Sequence, residues 1–308
     1  MTIQQLEYLL AVDQCRHFAK AAEMCGVKQP TLSAMIQKLE EELGVKLIDR
    51  NAQPVQPTPI GYKVIKQAHV ILSQTAQVKD IVYEEQRTLT GVFRLGVLPT
   101  IAPYLLPRFF PQLMEDHPEL DIRIAEMKTH QVYEAMRGGE LDAAIVASRS
   151  DYEWLVEETL FYEQFFGYVS RKEPLFKREI IRTSDITGER LWLLDEGHCF
   201  RDQLVRFCQM ESVKLSQMAY RLGSMETFMR MVESGKGITF IPELAVRQLC
   251  EEQRQLVRPF AIPRPTREIV LVSGKDFVRQ TLLGVLKEKI RAAMPEEMRS
   301  LQAVQCLV

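Results

Sequence analysis

The spacing of hydrophobic residues predicts a small helical unit over residues 1 to 58. A second helix is predicted at residues 18 to 24, where alanines allow a neighbour to approach closely, and Gly26 supplies a turn. A third predicted helix begins near Pro30 and ends at Gly44, which suit a first helical position and a helix end respectively. The first helix is indicated by apolar residues at helical spacing: Ile3, Leu6, Leu9 and Leu10.

The next stretch predicts a wing and then one long helix. Proline and amide side chains dominate residues 51 to 58, which is typical of a short wing. Residues 59 to 90 carry a largely apolar stripe at helical spacing, and Thr90-Gly91 is the predicted end. Because no nearby segment can cover this stripe, a second copy of the chain is its natural partner.

From residue 92 the pattern changes to strands that alternate with helices such as 105–116 and 131–138. This alternation predicts an α/β domain with a mostly parallel sheet, and its length of about 215 residues predicts two lobes with a cleft between them. The apolar strand candidates are residues 92–98, 120–125, 142–146, 165–169, 191–194, 237–241 and 268–272.

Composition limits the class of protein. Hydrophobic residues make up 46% of the 308 positions and charged residues 26%, the balance of a soluble globular protein. No apolar run is long enough to span a membrane, and the N-terminus does not resemble a secretion signal. We therefore expect a cytoplasmic protein with no membrane partner, in a compartment where thiols are kept reduced.

A claim of DNA binding must rest on local arrangement, because the net charge of -2 provides no attractive global field. Two helices joined by a glycine turn can place the second of them in the major groove. Amides, hydroxyls and a lysine near the start of the third helix could contact bases and phosphates. By spacing alone, a helical hairpin that simply packs remains open. The candidates are Gln29, Thr31, Ser33, Gln37 and Lys38.

The amino-acid sequence of this region resembles the N-terminal signature of LysR-type transcriptional regulators. The matching segments are residues 18–22, 29–33 and 39–50, and Gly61 with the long helix resembles the dimerisation linker of the family. The resemblance covers the whole chain. The resemblance also implies that Pro30 and Arg50 belong to the DNA-binding residues.

The resemblance also implies an architecture and partners. It implies a fold of α/β class with an all-α N-terminal part. A winged helix-turn-helix (1–58) and a linker helix (59–90) would precede a two-lobed regulatory domain like periplasmic binding proteins (91–308). Double-stranded DNA, a homotetramer built as a dimer of dimers, and RNA polymerase are the implied partners.

A pair of cysteines in the second domain suggests redox chemistry. An acidic-glycine turn precedes a predicted helix from Cys199 to Gln209, so Cys199 lies in the first turn, where the helix dipole favours a thiolate. His198 and Arg201 are adjacent cationic candidates. These features predict a low thiol pKa, and the thiolate is the form that attacks peroxide.

Cys208 belongs to a different face of the same predicted helix. It clusters with apolar residues about 180° from Cys199, and nine residues separate the two thiols by roughly 13 to 14 Å along an intact helix. A disulfide needs Cα atoms no more than about 7 Å apart, so the helix would have to unwind if the two thiols bonded. Two buried, inert thiols are the alternative interpretation.

The segment 197–203, followed by a cysteine nine residues after the first, resembles the sensing segment of peroxide-responsive LysR-type regulators. The resemblance implies that hydrogen peroxide oxidises Cys199 to a sulfenic acid, which forms a disulfide with Cys208 and remodels the domain and the tetramer. A disulfide reductase would reset it. The implied peroxide pocket consists of Thr100, Thr129, His198, Arg201, Asp202 and Arg267.

Two other functions remain as alternatives. The first is a regulator of the same family that answers a small metabolite in the cleft, with incidental thiols. The second is a solute-binding protein or an enzyme on the same two-lobed fold, against which residues 1–58 argue. We find no Cys-x-x-Cys pair, catalytic triad or phosphate loop, and so we expect no metal, no cofactor and no enzyme activity. We interpret Cys15, Cys25 and Cys250 as core thiols and Cys306 as exposed.

Overall fold

The protein is described by a computed structural model over residues 1–147, 150–186, 191–194, 199–208 and 224–308. It divides into two compact units. Unit 1 consists of Met1–Gln86 with Glu134–Leu141, and unit 2 consists of Arg87–Tyr133 with Asp142–Val308.

Unit 1 forms around a core of leucine, isoleucine and alanine side chains from its helices. The predicted helix at residues 18 to 24 is confirmed, and Gly44 ends the third helix with a left-handed φ of 68°. A two-stranded antiparallel hairpin occupies the predicted wing region. The elements are α1 (Ile3–Cys15), α2 (Phe18–Met24), α3 (Gln29–Leu43), β1 (Ile48–Asp49), β2 (Gln56–Pro57) and α4 (Pro59–Glu85).

Helix α4 is shorter than the sequence predicted. The stripe was expected to continue to residue 90, but the helix ends at Glu85 and Arg87 adopts a left-handed φ of 52°, which a helix cannot contain. Ile65 and Ala68 in its first half are buried in the core of unit 1. Its second half leaves three apolar side chains exposed, namely Val78, Ile81 and Val82.

Unit 2 is built on a mixed, eight-stranded sheet. Six strands follow the order β4-β3-β5-β9-β6-β7, while β10 pairs with β9 and β8 with β6. The strands are β3 (Gly91–Val97), β4 (Leu120–Glu126), β5 (Ala143–Val146), β6 (Leu155–Val169), β7 (Ile238–Pro242), β8 (Val257–Pro259), β9 (Arg264–Gly274) and β10 (Gln305–Leu307). The helices between and after them are α5 (Ala102–Asp116), α6 (Thr129–Arg137), α7 (Cys199–Phe207), α8 (Met225–Ser234), α9 (Glu243–Val246), α10 (Glu251–Arg254) and α11 (Gln280–Ala293). The part of α6 from Glu134 onward belongs to unit 1.

Two predictions for this sheet were wrong. Although β3 is parallel to β4 and β5, the long strands β6 and β9 pair antiparallel, and so do β6 with β7 and β5 with β9. The sheet is therefore mixed rather than mostly parallel. The predicted strand at residues 191–194 is only an isolated bridge from Leu191 to Ile238. Its apolar residues reflect burial, which alone does not specify a strand.

Two kinds of feature are absent from the described residues. No described helix is both long and apolar enough to cross a membrane. Within the same residues, no group of three or more His, Cys, Asp or Glu side chains could hold a metal ion.

Candidate functional site

Helix α7 begins at Cys199, as predicted, and separates the two thiols on its surface. Phe200 and Leu204 are buried, and Cys208 directly after the helix is only 8% exposed. The backbone N–H of Cys208 donates to the carbonyl of Leu204 at 2.9 Å, which continues the helical pattern to that residue. Gln209, the predicted helix end, lies outside the described residues.

Aromatic packing and one amide hold α7 in place. The ring of Phe200 meets that of Phe165 on β6 edge-on, with centroids 5.0 Å apart, and Phe207 meets Phe260 in the same way at 5.7 Å. Buried Gln203 donates from Nε2 to the carbonyl of Ala147 at 2.7 Å. The reduced helix is therefore tied to the sheet through contacts along its whole length.

Arg267 on β9 is the centre of a buried polar cluster. Its side chain is fully buried, and Nη1 donates to Thr100 Oγ1 at 3.1 Å while Nη2 donates to the Thr100 carbonyl at 3.0 Å. On its other side, Nε donates to Glu163 Oε2 at 2.9 Å, and Nη2 lies 2.8 Å from the same oxygen. Arg267 thus joins β9, β6 and the turn before α5.

Two aromatic rings flank the same guanidinium group. Its central carbon lies 5.1 Å from the ring centroid of Phe200 and 5.7 Å from that of Phe165. Because Phe200 follows Cys199 directly, these contacts bring Arg267 into electrostatic reach of the thiol. The positive charge of Arg267 lowers the pKa of Cys199.

The two threonines take different places around the cluster. Thr100 is buried and acts as an acceptor for Arg267 rather than as the helix cap, because Ile101 occupies the N-cap position of α5. Thr129 opens α6 close to Cys199, and its hydroxyl lowers the pKa of that thiol. Its Oγ1 atom is buried, and the effect on the thiol pKa arises from a hydrogen-bond interaction between the two side chains.

The predicted low pKa of Cys199 was wrong in direction. Burial raises the pKa of this thiol above its ordinary value, and the nearby charge of Asp202 raises it further. Thr129, Arg267 and the backbone N–H of Phe200 oppose this rise without cancelling it. The sequence argument considered the helix dipole and neighbouring cations but could not know the extent of desolvation, which is the largest effect.

The remaining predicted pocket residues are less central. Asp202 is exposed and Arg201 is half-buried, since both lie on the outer side of α7. His198 lies outside the described residues. Burial raises the pKa of Cys208 to about 12, so this thiol is held in its protonated form.

Helix α3 presents the predicted DNA-contacting residues together. Gln29, Pro30 and Thr31 at its start are exposed, as are Gln37 and Lys38 one to two turns later, while Ser33 is half-buried. Leu32, Ile36 and Leu39 on the opposite face are buried in the core of unit 1. The helix therefore separates a packing face from a polar face.

Arg50 makes internal contacts as well as being exposed. Its Nη1 donates to Ser33 Oγ at 2.8 Å, and its guanidinium carbon lies 5.0 Å from the ring centroid of Phe18. Buried Glu40 accepts hydrogen bonds from the backbone N–H groups of Leu47 and Ile48 at 2.8 and 3.2 Å. These contacts fix the hairpin region against α3.

Both units match models of one family. Residues 3–62 match the bacterial regulatory helix-turn-helix protein of the lysR family, and residues 86–295 match the LysR substrate binding domain. The chain belongs to the LysR family of bacterial transcriptional regulators. The predicted fold class is confirmed, and this LysR-type regulator is a DNA-binding protein.

Several characterised LysR-type proteins resemble it over most of their length. The DNA-binding transcriptional dual regulator OxyR of Escherichia coli strain K12 is 37% identical over 294 residues, which cover 96% of each chain. The crystal structure of OxyR from Porphyromonas gingivalis is 53% identical over 71% of this chain and 99% of that chain, with a TM-score of 0.67. A full-length OxyR variant from Pseudomonas aeruginosa is 33% identical over 94% of this chain and 98% of that chain, with a TM-score of 0.76. These relatives are regulators rather than enzymes.

Sequence reasoning missed three features of this LysR-type site. Glu163, the ion-pair partner of Arg267, lies on a half of β6 that was not predicted as a strand. Tyr133 follows Thr129 by one helical turn on α6, and the Cys199 thiol influences its pKa, which burial raises to about 12. The aromatic flanks of Arg267 were also missed. Apolar residues at positions 155, 156, 160 and 161 could have extended the strand, but nothing in the sequence indicated the pairing.

Two cysteine assignments also need correction. Cys250 was interpreted as a core thiol, but it is exposed at the start of α10. Cys306 was expected to be exposed but is half-buried, because β10 pairs with the start of β9. Cys15 and Cys25 are half-buried and pack against the core of unit 1, in agreement with the prediction.

Proposed function

We propose that this LysR-type regulator is a hydrogen peroxide-responsive transcriptional activator. A relative from Pectobacterium carotovorum that is 38% identical over 301 residues is named a hydrogen peroxide-inducible genes activator. The observation that carries the proposal is the position of Cys199 at the start of α7, close to Thr129 and Arg267, with Cys208 buried on the far side of the helix.

The proposed chemistry proceeds in two balanced steps. The Cys199 thiolate attacks one peroxide oxygen, the O–O bond breaks, and the departing hydroxide takes up a proton to leave as water. The product is a sulfenic acid at Cys199. The Cys208 thiol then gives up its proton and its sulfur attacks the Cys199 sulfur. An S–S bond forms, the S–O bond of the sulfenic acid breaks, and the departing hydroxide takes up a proton to leave as a second water. Resetting the disulfide requires two electrons from a disulfide reductase.

The pocket residues would act on the first step. Thr129 has a buried hydroxyl that interacts with the thiol, and a hydroxyl in this position can bind a peroxide oxygen. Arg267 stabilises the thiolate, and Thr100 orients Arg267. His198, Arg201 and Asp202 would complete the pocket beside Cys199.

The second step would change the fold of α7. An intact helix holds the two cysteines roughly 13 to 14 Å apart along its axis, about twice the Cα separation that a disulfide allows. Disulfide formation would therefore break the packing of Phe200 and Phe207 and the bond from Gln203 to Ala147. A local rearrangement of this size can alter a subunit interface.

The output would be transmitted through the assembly to DNA. We propose a winged helix-turn-helix over 1–58, a dimerisation linker over 59–90 and a redox-sensing domain over 91–308. The exposed apolar residues of α4 support association with a second copy of the chain, and we propose that the assembly is a homotetramer formed as a dimer of dimers. The polar face of α3, together with Arg50, would contact double-stranded DNA, and RNA polymerase would be the further partner.

Peptide mapping of the full-length protein tests the proposal. The reduced protein is treated with about one equivalent of peroxide and digested without reduction. We expect a linked pair of peptides that carry Cys199 and Cys208, absent from the Cys199→Ser variant and retained in Cys250→Ser, which removes an exposed thiol instead. Two free thiols at this dose would overturn the proposal and favour a regulator that answers a metabolite in the cleft.

A further inference from the structure

We propose that Glu163 limits the thiolate fraction of Cys199 by neutralising the guanidinium group of Arg267. Glu163 would be a positioning residue, since it acts on the thiol through Arg267 and touches no reacting atom. The inference deepens the proposed function and rests on it, because it assigns to this carboxylate the setting of how readily the sensor thiol ionises.

The first support is the geometry of the pair. Glu163 is 1% exposed and Arg267 is fully buried, and they are joined through Nε and Nη2 at 2.9 and 2.8 Å. The other Glu163 oxygen accepts from the backbone N–H of Leu244 at 2.9 Å. Glu163 accepts each of these hydrogen bonds, which satisfies its ionised form. The charge of Arg267 is thus balanced at contact distance.

The second support is the electrostatic state of the thiol. A lone buried guanidinium close to Cys199 would strongly favour the thiolate. The pKa of Cys199 is nevertheless raised, because the lowering by Arg267 does not overcome burial. Because Glu163 contacts Arg267, the thiol faces an ion pair rather than a net positive charge.

Other groups close to Cys199 also influence the pKa of its thiol. Thr129, Arg267 and the Phe200 N–H face the thiol and lower its pKa, while Asp202 raises it. Tyr133 lies within electrostatic range of the same thiol.

On the side of Glu163, the neighbours are equally well defined. Burial raises the pKa of this carboxyl group, the Glu243 charge adds to the rise, and Arg267 and the Leu244 N–H lower it. Tyr104 lies within electrostatic range of both members of the ion pair. Glu163 is therefore the charged contact through which the influence of Arg267 on the thiol can be changed without altering either Arg267 or Cys199.

The test measures the ionisation of Cys199 directly in the full-length reduced protein. Its rate of alkylation by iodoacetamide is followed across pH by mass spectrometry of the Cys199 peptide. We expect Glu163→Gln to lower the midpoint pH by about one unit, which corresponds to about tenfold more thiolate below both midpoints. The shorter Asp side chain keeps the charge but withdraws it from Arg267, so Glu163→Asp should lower the midpoint by a smaller amount.

A control variant shows whether the shift in the Cys199 midpoint is specific to Glu163. Glu173→Gln removes another buried carboxylate of unit 2, one that accepts from the backbone N–H of Gly237 at 2.8 Å, and should leave the Cys199 midpoint unchanged. An unchanged or raised midpoint in Glu163→Gln would overturn the proposal. If that variant does not fold, the sign of the shift in Glu163→Asp decides in the same way.

A second background shows whether Glu163 acts through Arg267. In the Arg267→Gln variant the further change Glu163→Gln should shift the midpoint by far less than it does in the parent protein, because the charge that it unmasks is absent. An equal shift in both backgrounds would contradict the proposed route. The titration uses no peroxide, so it is decided independently of whether the protein responds to peroxide.

Discussion

Glu40 in unit 1 and Glu163 in unit 2 are both buried, but their partners lie at very different distances along the chain. Glu40 in unit 1 accepts from the backbone of Leu47 and Ile48, only seven and eight residues further along the chain. Glu163 in unit 2 pairs with Arg267, which is 104 residues away. The first contact can form within one short segment, whereas the second requires β6 and β9 to be paired.

The two units also differ in how they bring their candidate functional residues together. Unit 1 places polar side chains on the exposed face of one helix, so the surface depends on the helix and its core. Unit 2 assembles its cluster from Thr100, Glu163, Arg267 and the start of α7, which lie on four separate segments. A site of this second kind couples the chemistry of one thiol to the packing of the whole unit.

Removing Arg267 tests most directly whether the stability of unit 2 depends on its long-range ion pair. We expect Arg267→Ala to reduce the free energy of unfolding of unit 2 by about 3 to 5 kcal/mol, because it leaves Glu163 buried without its ion-pair partner. Tryptophan fluorescence during urea unfolding reports on this unit, since both tryptophans, Trp154 and Trp192, belong to it.

A matched control removes an exposed arginine from the same unit. Arg178→Ala should change that free energy by no more than about 0.5 kcal/mol. If the Arg267 variant behaved like the Arg178 variant, the long-range ion pair would not be essential to unit 2.

The second test compares thiols across the two units. The pKa of Cys208 is raised to about 12, so at pH 8 its thiolate fraction is about a thousandfold below that of an ordinary thiol. Because only the thiolate reacts, we expect iodoacetamide to modify exposed Cys250 fastest, Cys25, whose pKa burial also raises, more slowly, and Cys208 slowest.

Peptide mass spectrometry at fixed pH measures the order of these alkylation rates. Denaturation of the protein should abolish the differences between them. As pH rises toward 12, the Cys208 rate should increase. Equal rates for Cys208 and Cys250 in the folded, reduced protein would show that Cys208 is not held in its buried position.

The local carboxylate of unit 1 should give a smaller effect. Glu40→Gln weakens the acceptor for two backbone N–H groups, and we expect a loss of about 1 to 3 kcal/mol in the stability of unit 1. Far-UV circular dichroism should report this loss, while tryptophan fluorescence, which follows unit 2, should not. Exposed Glu41→Gln is the matched control and should be almost neutral.

The smallest expected effect is on DNA affinity. Lys38→Ala removes one exposed positive charge from α3 and should weaken binding by about 1 kcal/mol, with the slope of log affinity against log salt reduced by about 1. Lys236→Ala removes an equally exposed charge from unit 2 and should leave both quantities unchanged. Equal effects of the two variants would remove α3 from the proposed DNA interface.

Sequence reasoning succeeded where the evidence was local. The boundaries of α2, the glycine end of α3 and the start of α7 at Cys199 all follow from residues within one or two turns. It failed where the outcome depended on distant segments. Residues 191–194 have the composition of a strand but only one bridge, and α4 ends five residues early because Arg87 turns the chain.

The sequence by itself therefore determined helices α1 to α3 of unit 1, the polar face of α3 and the start of α7 at Cys199, because helical periodicity is a local property. Only the tertiary structure decided that Glu163 pairs with Arg267 and that the pKa of Cys199 is raised rather than lowered. Desolvation and charge pairing depend on which distant segments exclude water from a group, and no short stretch of sequence contains that information.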